Sequence, residues 1–214
     1  MSTTVLLIRH GETAWNAERR LQGHIDIGLN QAGLRQADAL AQALAGAPLA
    51  AIVASDLLRA HQTASALTAH HRLPVQTDAL LRERCYGAFE GMLYADIAQR
   101  YPAEYADWQA RDIDAVMPAG IRVAESFRQF YARAVDGVAR WAALYPGRTI
   151  AVVAHGGVLE CAYRAAVGMS LDSPRDFQVK NASVNRFSYT AGKLSLTEWG
   201  DVEHLAAPAI DELG

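Results

Sequence analysis

Short, uninterrupted apolar runs alternate along the chain with longer stretches in which apolar residues recur at helical spacing. An apolar run of about four to eight residues with polar residues at both ends is typical of a strand buried on both faces of a sheet. Such runs predict strands at residues 5–8, 50–54 and 149–154, and a further short strand is predicted at 73–77. Helical spacing predicts helices at residues 31–45, 56–71, 92–114, 122–145 and 158–167, with Pro102 dividing the third of them.

The order of these elements predicts the architecture. Strands that alternate with helices are expected to pair in parallel, whereas residues 183–189 and 194–199 flank a short turn with Gly192 and predict a terminal antiparallel hairpin. We therefore expect an α/β fold with a mostly parallel central sheet. The predicted parts are one domain (1–214), a helical, lid-like insertion within it (about 92–130) and a loosely held tail (about 201–214).

Composition and charge narrow the class of protein. The chain has 214 residues, of which 51% are hydrophobic and 20% charged, enough for a substantial core. A net charge of −3 gives no general attraction to nucleic acid or to an anionic membrane, and no apolar run is long enough to cross a bilayer. The two cysteines form no disulfide framework, which favours a reducing cytoplasm. We expect a cytoplasmic globular protein that binds a small molecule.

Charged residues follow the predicted buried strands at the point where each strand ends. Arg9 and His10 follow the first strand, His155 follows the last of the three long runs, and Arg59 lies one turn into the helix after the second. The carboxyl ends of parallel strands share the edge of a sheet where ligands bind, so these side chains are expected to meet. Two arginines beside imidazoles disfavour a metal cation and favour an oxyanion such as phosphate, which accepts charge-assisted hydrogen bonds.

Other patterns associated with catalysis are weak. His24 with Asp26, or the pair His70 and His71, offers a weak alternative metal site, but both are more typical of surface groups. The sequence contains no nucleotide-binding pattern of the form G-x-x-x-x-G-K-[ST] or G-x-G-x-x-G, and no G-x-S-x-G hydrolase elbow. We therefore expect neither a metal nor an organic cofactor.

Several blocks between residues 5 and 160 carry a more specific signal. They are LIRHGETAWN (7–16), LQGHID (21–26), SDLLRAHQTA (55–64), LRE with YGAFEG (81–83 and 86–91) and AHGG (154–157), with a weaker late match at NAS (181–183). In their content and order these blocks resemble the signature of the histidine phosphatase superfamily, also called the phosphoglycerate mutase-like family. The resemblance implies a three-layer α/β/α fold and catalysis through a phosphohistidine without a metal.

The resemblance also implies a role for each matching residue. His10 would be the nucleophile, and Glu83 would protonate the leaving oxygen and then activate water. Glu90 is the competitor for this acidic role, although its position in the F-E-G segment favours holding a loop. The implied phosphate ligands are Arg9, Arg59 and His155, and the implied lining of the pocket is Asn16, Gln22, Gly23 and Gly156.

Three functions are compatible with these residues: a phosphomonoesterase acting on a small metabolite, a phosphoglycerate mutase that depends on 2,3-bisphosphoglycerate, and a non-catalytic phospholigand-binding protein. A mutase must hold a second phosphate, which requires a second cationic pocket. Residues 92–130 contain four arginines, no lysine and six acidic residues, so we expect no such pocket there. The phosphatase is therefore favoured, and a homodimer is left open.

Overall fold

A six-stranded sheet forms the centre of the structure, a computed structural model that describes residues 1–211. The strands are β1 (Thr3–Arg9), β2 (Leu49–Ala54), β3 (Val75–Thr77), β4 (Thr149–Ala154), β5 (Val184–Thr190) and β6 (Lys193–Asp201). Their spatial order is β3-β2-β4-β1-β5-β6. The first four in this order pair in parallel, and β5 pairs antiparallel with both β1 and β6. The predicted, mostly parallel sheet with a terminal hairpin is confirmed.

Helices cover both faces of this sheet. They are α1 (Ala14–Ala17), α2 (Gln31–Ala43), α3 (Leu58–His71), α4 (Tyr94–Arg100), α5 (Pro102–Gln109), α6 (Phe127–Ala143) and α7 (Gly156–Val167). Alternate residues of a strand face opposite sides of the sheet. Along β1, Val5 and Leu7 therefore pack in a cluster with α6 and α7, while Leu6 and Ile8 pack in a second cluster with α2 and α3. The three-layer α/β/α arrangement is confirmed.

The insertion between β3 and α6 has an apolar cluster of its own. Its helices α4 and α5 are separated at Pro102, which occupies the first turn of α5 as predicted. The side chains of this cluster include Leu21, Tyr86, Phe89, Ile97 and Met117, with Tyr94, Tyr101, Tyr105 and Trp108 packed against them. The insertion thus shares a small core with the segment that follows β1.

The longest helix starts later than the sequence pattern predicted. We expected a helix from residue 122, but α6 begins at Phe127 because Ser126 caps it. The Ser126 hydroxyl accepts a hydrogen bond from the Gln129 backbone N–H at 3.2 Å, and the Gln129 side chain accepts one from the Ser126 N–H at 3.0 Å. This reciprocal pair satisfies two backbone donors and sets the helix start. Among the described residues, no helix is both long and apolar enough to span a membrane.

The described part of the tail is held in place, contrary to our expectation of a loose segment from residue 201. The Ile210 carbonyl accepts a hydrogen bond from the Asn181 backbone N–H at 2.9 Å. The Asp211 carboxylate accepts bonds from Arg175 Nη2 at 3.0 and 3.1 Å and from the Val179 N–H at 2.9 Å. It also lies 3.9 Å from Arg9 Nη1. A buried carboxylate between two arginines therefore anchors the chain up to Asp211.

We predict that Asp211→Asn destabilises the fold. Removing one partner of a buried ion pair leaves the other charge uncompensated, which costs about 3–5 kcal/mol in typical cases. Urea unfolding should show a loss of this order, whereas Asp176→Asn, at an exposed position, should change the free energy of unfolding by less than about 0.5 kcal/mol. Equal stability of the two variants would contradict the anchoring role.

Candidate functional site

The two strand-end histidines meet at the centre of the sheet. Strands β1 and β4 pair in parallel, with Arg9 opposite Ala154, so the residues that follow each strand lie side by side. The His10 backbone N–H donates to the Ala154 carbonyl at 3.0 Å. The His10 and His155 rings are buried, with centroids 5.2 Å apart. The parallel pairing therefore brings together two residues that are far apart in sequence.

Two arginines flank these rings, and each is only 1% exposed. Arg59, in the first turn of α3, donates to the Gly23 carbonyl at 2.8 Å and to the Ile25 carbonyl at 3.1 Å. Arg9 donates to the Val179 carbonyl. These carbonyl oxygens orient both guanidinium groups, so the predicted convergence of the arginines and histidines is observed.

The hydrogen bond at His10 defines the tautomer of its ring. His10 Nδ1 lies 2.7 Å from the Gly11 carbonyl oxygen, an acceptor, so this nitrogen carries the proton and the Nε2 lone pair is available. Burial lowers the pKa of His10 well below 6.5, and the charges of Arg59 and Arg9 lower it further. His10 is therefore a neutral imidazole across the physiological pH range.

The second imidazole is neutral for the same reasons. Burial, followed by the charge of Arg59, lowers the pKa of His155 well below 6.5. Within residues 1–211, neither ring nitrogen of His155 has a hydrogen-bond partner. A buried polar group without a partner is costly, so His155 holds unused hydrogen-bonding capacity beside His10.

A carboxyl group lines a small pocket together with His10 and the two buried arginines. Glu83 accepts hydrogen bonds from the Arg84 N–H at 2.8 Å and from the Gly157 N–H, at the start of α7, at 3.0 Å. These bonds lower the pKa of Glu83, but burial raises it more, and the net shift is upward from 4.5. A Cβ on Gly157 would lie 2.2 Å from Glu83 Oε1, so only glycine allows this approach.

The loop after β1 forms the other wall. The Thr13 hydroxyl donates towards Asn16 Oδ1 at 3.0 Å and Gln22 Oε1 at 3.1 Å, which fixes the course of the loop. Of the predicted site residues, six line the small pocket: Arg9, His10, Gln22, Gly23, Arg59 and Glu83. The other three predicted residues, Asn16, His155 and Gly156, are buried outside this lining.

Glu90 has the loop-holding position that its sequence context favoured. Its Oε1 accepts hydrogen bonds from the His24 N–H at 2.9 Å and the Tyr86 N–H at 3.1 Å, and its Oε2 lies 3.7 Å from Arg122 Nη1. A Cβ on Gly23 would lie 2.1 Å from Glu90 Oε1. Glu90 therefore joins the two loops that surround the pocket.

The backbone of Glu83 is held by two side chains to which the sequence analysis gave no role in the site. The Glu83 carbonyl oxygen lies 2.7 Å from His24 Nε2 and accepts a bond from Arg133 Nη2 at 3.1 Å. The Asn181 side chain similarly donates to the His10 carbonyl at 3.1 Å. The sequence does not reveal the Arg133 contact, because it depends on how α6 packs against the segment that contains Glu83.

Across the described chain, no three His, Cys, Asp or Glu side chains are grouped to hold a metal ion.

A larger cavity of about 570 Å³ adjoins the small pocket and was not predicted. Tyr86 and Tyr94 line both spaces. The cavity is bordered by four arginines: Arg19, Arg84, Arg111 and Arg175. The charge count along residues 92–130 gave no indication of this cavity, because only Arg111 belongs to that segment. The other three come from separate parts of the chain.

An α/β sheet with buried arginines and neutral imidazoles at its carboxyl edge defines a class of site whose charge and hydrogen-bond donors suit an oxyanion. The model of the histidine phosphatase superfamily (branch 1) matches residues 5–202. The chain belongs to this superfamily.

Individual relatives agree with this assignment. The chain is 37% identical to phosphoglycerate mutase-like protein 4 of Arabidopsis thaliana, over 94% of this chain and 86% of the plant protein. It is 34% identical to a metal-independent phosphoserine phosphatase of the same plant, over 96% and 84% of the two chains. The structure of Bacillus stearothermophilus YhfR matches with a TM-score of 0.86 at 33% identity, covering 94% of this chain and 98% of that one. The prediction of a phosphoric monoester hydrolase of this superfamily is confirmed.

Proposed function

We propose that His10 removes the phosphoryl group from a small phosphomonoester and carries it as a phosphohistidine. The observation that carries this proposal is the His10 Nδ1 contact with the Gly11 carbonyl, which leaves Nε2 as the nucleophilic atom. Arg9, Arg59 and His155 bind the phosphoryl oxygens, and Asn16, Gln22 and the backbone at Gly23 and Gly156 border them. Phosphoryl transfer depends mainly on positioning and on stabilising spread negative charge, which this set supplies.

The reaction proceeds in two displacements. In the first, Nε2 bonds to phosphorus while the bond from phosphorus to the leaving oxygen breaks, and protonated Glu83 gives its proton to that oxygen. In the second, the Glu83 carboxylate takes a proton from water, the water oxygen bonds to phosphorus, and the bond from phosphorus to Nε2 breaks. Inorganic phosphate leaves, and both His10 and Glu83 return to their starting states. The raised pKa of Glu83 supports this double role.

The buried guanidinium groups carry the charge that a divalent ion supplies in other phosphatases. The proposed reaction therefore needs neither a metal nor an organic cofactor.

The proposed substrate is a small phosphorylated metabolite, in keeping with the phosphoserine phosphatase named among the relatives. The free, buried thiols of Cys85 and Cys161 support a reducing cytoplasm, and the net charge of −3 supports neither nucleic acid nor an anionic membrane as a partner. A homodimer is compatible with this activity.

A second candidate, the 2,3-bisphosphoglycerate-dependent mutase, gains support from the arginine-lined cavity, which could hold a second phosphate. Water access argues against it, because the cavity reaches the surface at the exposed residues Arg19, Gln109 and Asp112. A coupled assay separates the two: mutase turnover well above phosphate release, dependent on 2,3-bisphosphoglycerate, would identify a mutase. A chain that only binds phospholigands would release no phosphate from any ester.

We predict that the effect of Glu83→Gln depends on the leaving group. An alkoxide needs a proton to leave, whereas an activated aryl oxide leaves without one. The variant should therefore lose about 100-fold or more kcat/KM on an alkyl phosphate relative to 4-nitrophenyl phosphate, because kcat/KM reports phosphoryl transfer to His10 and not the later hydrolysis that both substrates share. The assays are run with and without a chelator, which should leave each rate unchanged. Glu90→Gln is the matched carboxylate control and should show no such split. Equal losses of Glu83→Gln on both substrates would reduce Glu83 to a binding role.

We also predict a kcat/KM profile displaced to the acidic side. His10 must be neutral to react, and its depressed pKa keeps it so well below pH 6.5, which places the acidic limb there. Glu83 must be protonated, so activity falls as the pH rises through its elevated pKa. With an alkyl phosphate, whose departure needs the proton, Glu83→Gln should lack this upper limb while keeping the lower one. An unchanged upper limb in the variant would assign that ionisation to another group.

A further inference from the structure

We propose that the cavity of about 570 Å³ is the subsite for the leaving group, and that this group combines an apolar ring with an anionic oxygen group, a carboxylate or a second phosphate. This inference rests on the proposed phosphatase function and specifies the chemical class of its substrate. Four lines of observation carry it: the position of the cavity, its charge, its unused donors and its size.

The position of the cavity follows from Glu83. Gly157, whose N–H bonds to the Glu83 carboxylate, also lines the cavity, and Tyr86 and Tyr94 border both spaces. The oxygen that Glu83 protonates must lie at this boundary. With the phosphoryl group among Arg9, His10 and Arg59, the remainder of the ester extends into the larger space.

The charge of the cavity is positive and only partly balanced. Of its described lining, four residues are arginines and two, Asp112 and Glu160, are acidic. The Glu160 carboxylate is divided between Arg111 Nη2 at 2.5 Å and Arg164 Nε at 2.9 Å. Arg84, 4% exposed, donates to neutral acceptors: the carbonyl oxygens of Ala115 and Glu125 and the Met117 sulfur. An anionic ligand would therefore be favoured over a neutral one.

Two of these arginines also have a buried N–H donor without a hydrogen-bond partner among the described residues. Arg175 uses Nη2 for the Asp211 carboxylate, but its buried Nη1 has no hydrogen-bond partner within residues 1–211. The same holds for Nε of Arg111, whose Nη2 pairs with Glu160. Buried donors without partners are rare in folded proteins. A carboxylate or phosphate between these two side chains would accept bonds that the protein itself leaves unmade.

The size and remaining walls of the cavity indicate an apolar ring. Sites for small molecules typically have volumes of about 300–1,000 Å³, and this one lies within that range. Its aromatic walls are Tyr86, Tyr94, Trp108, Phe127 and Phe130. Aromatic walls favour flat, apolar groups, and the surrounding arginines favour an anion attached to them.

Three esters that differ in one substituent test this proposal: benzyl phosphate, 4-carboxybenzyl phosphate and 4-carbamoylbenzyl phosphate. The carboxamide matches the carboxylate in size without its charge, and the alcohol released is similar in all three. We expect kcat/KM for the carboxylate to exceed that for the carboxamide at least tenfold. A fourth ester with a phosphonomethyl group shows whether a phosphate-like anion is preferred, and either anionic preference supports the subsite.

Variants assign the effect to the cavity. Arg111→Gln and, separately, Arg175→Gln should each lower the ratio of kcat/KM for the carboxylate ester to kcat/KM for the carboxamide ester at least fivefold. Arg100 is an exposed arginine of α4, and Arg100→Gln should leave this ratio unchanged. Each ratio is internal to one protein, so partial loss of folded enzyme does not affect it. Equal kcat/KM values for charged and neutral esters in the wild type would overturn the subsite while leaving the phosphatase intact. Failure to hydrolyse any ester would instead overturn the proposed function.

Discussion

Two guanidinium groups buried at one edge of the sheet are the constraint on which the surrounding structure depends. Arginine keeps its charge at any pH that a protein tolerates, so its burial requires hydrogen-bond acceptors or a counter-charge. Arg59 donates hydrogen bonds to the carbonyl oxygens of Gly23 and Ile25. Arg9 donates to the Val179 carbonyl and forms an ion pair with the Asp211 carboxylate. These acceptors explain why the long loop after β1 and the last described residues both fold back over the same edge.

The buried charges act differently on the titratable groups around them. For His10 and His155, burial and neighbouring arginines both favour the neutral ring, and their effects add. For Glu83 the two effects oppose each other, and burial is the larger. In one small pocket, the environment therefore favours the neutral form of an imidazole and the protonated form of a carboxyl. A nucleophile and an acid that are ready at the same pH are what the proposed reaction requires.

Local sequence patterns predicted the sheet edge well. The apolar runs of β1 and β4 are continuous, and parallel pairing then forces His10 and His155 together. The pattern was less informative where side chains from distant segments meet. The start of α6 depends on the cap at Ser126, which a period of apolar residues does not reveal.

The cavity and the tail were missed for the same physical reason. Counting charge along residues 92–130 could not find a pocket whose arginines come mostly from other loops, namely Arg19, Arg84 and Arg175. Likewise, nothing near Asp211 in the sequence indicates that its carboxylate reaches Arg9 and Arg175. Both features are long-range electrostatic contacts, and these leave no periodic signal in one chain.

The phosphoenzyme itself tests the central claim most directly. Rapid quenching of the enzyme with ³²P-labelled substrate, followed by peptide mapping, identifies the residue that carries the phosphoryl group. The account predicts an acid-labile, base-stable phosphohistidine at His10 that forms within the first turnover and is absent from His10→Ala. A label on another residue, or undiminished phosphate release by His10→Ala, would contradict it.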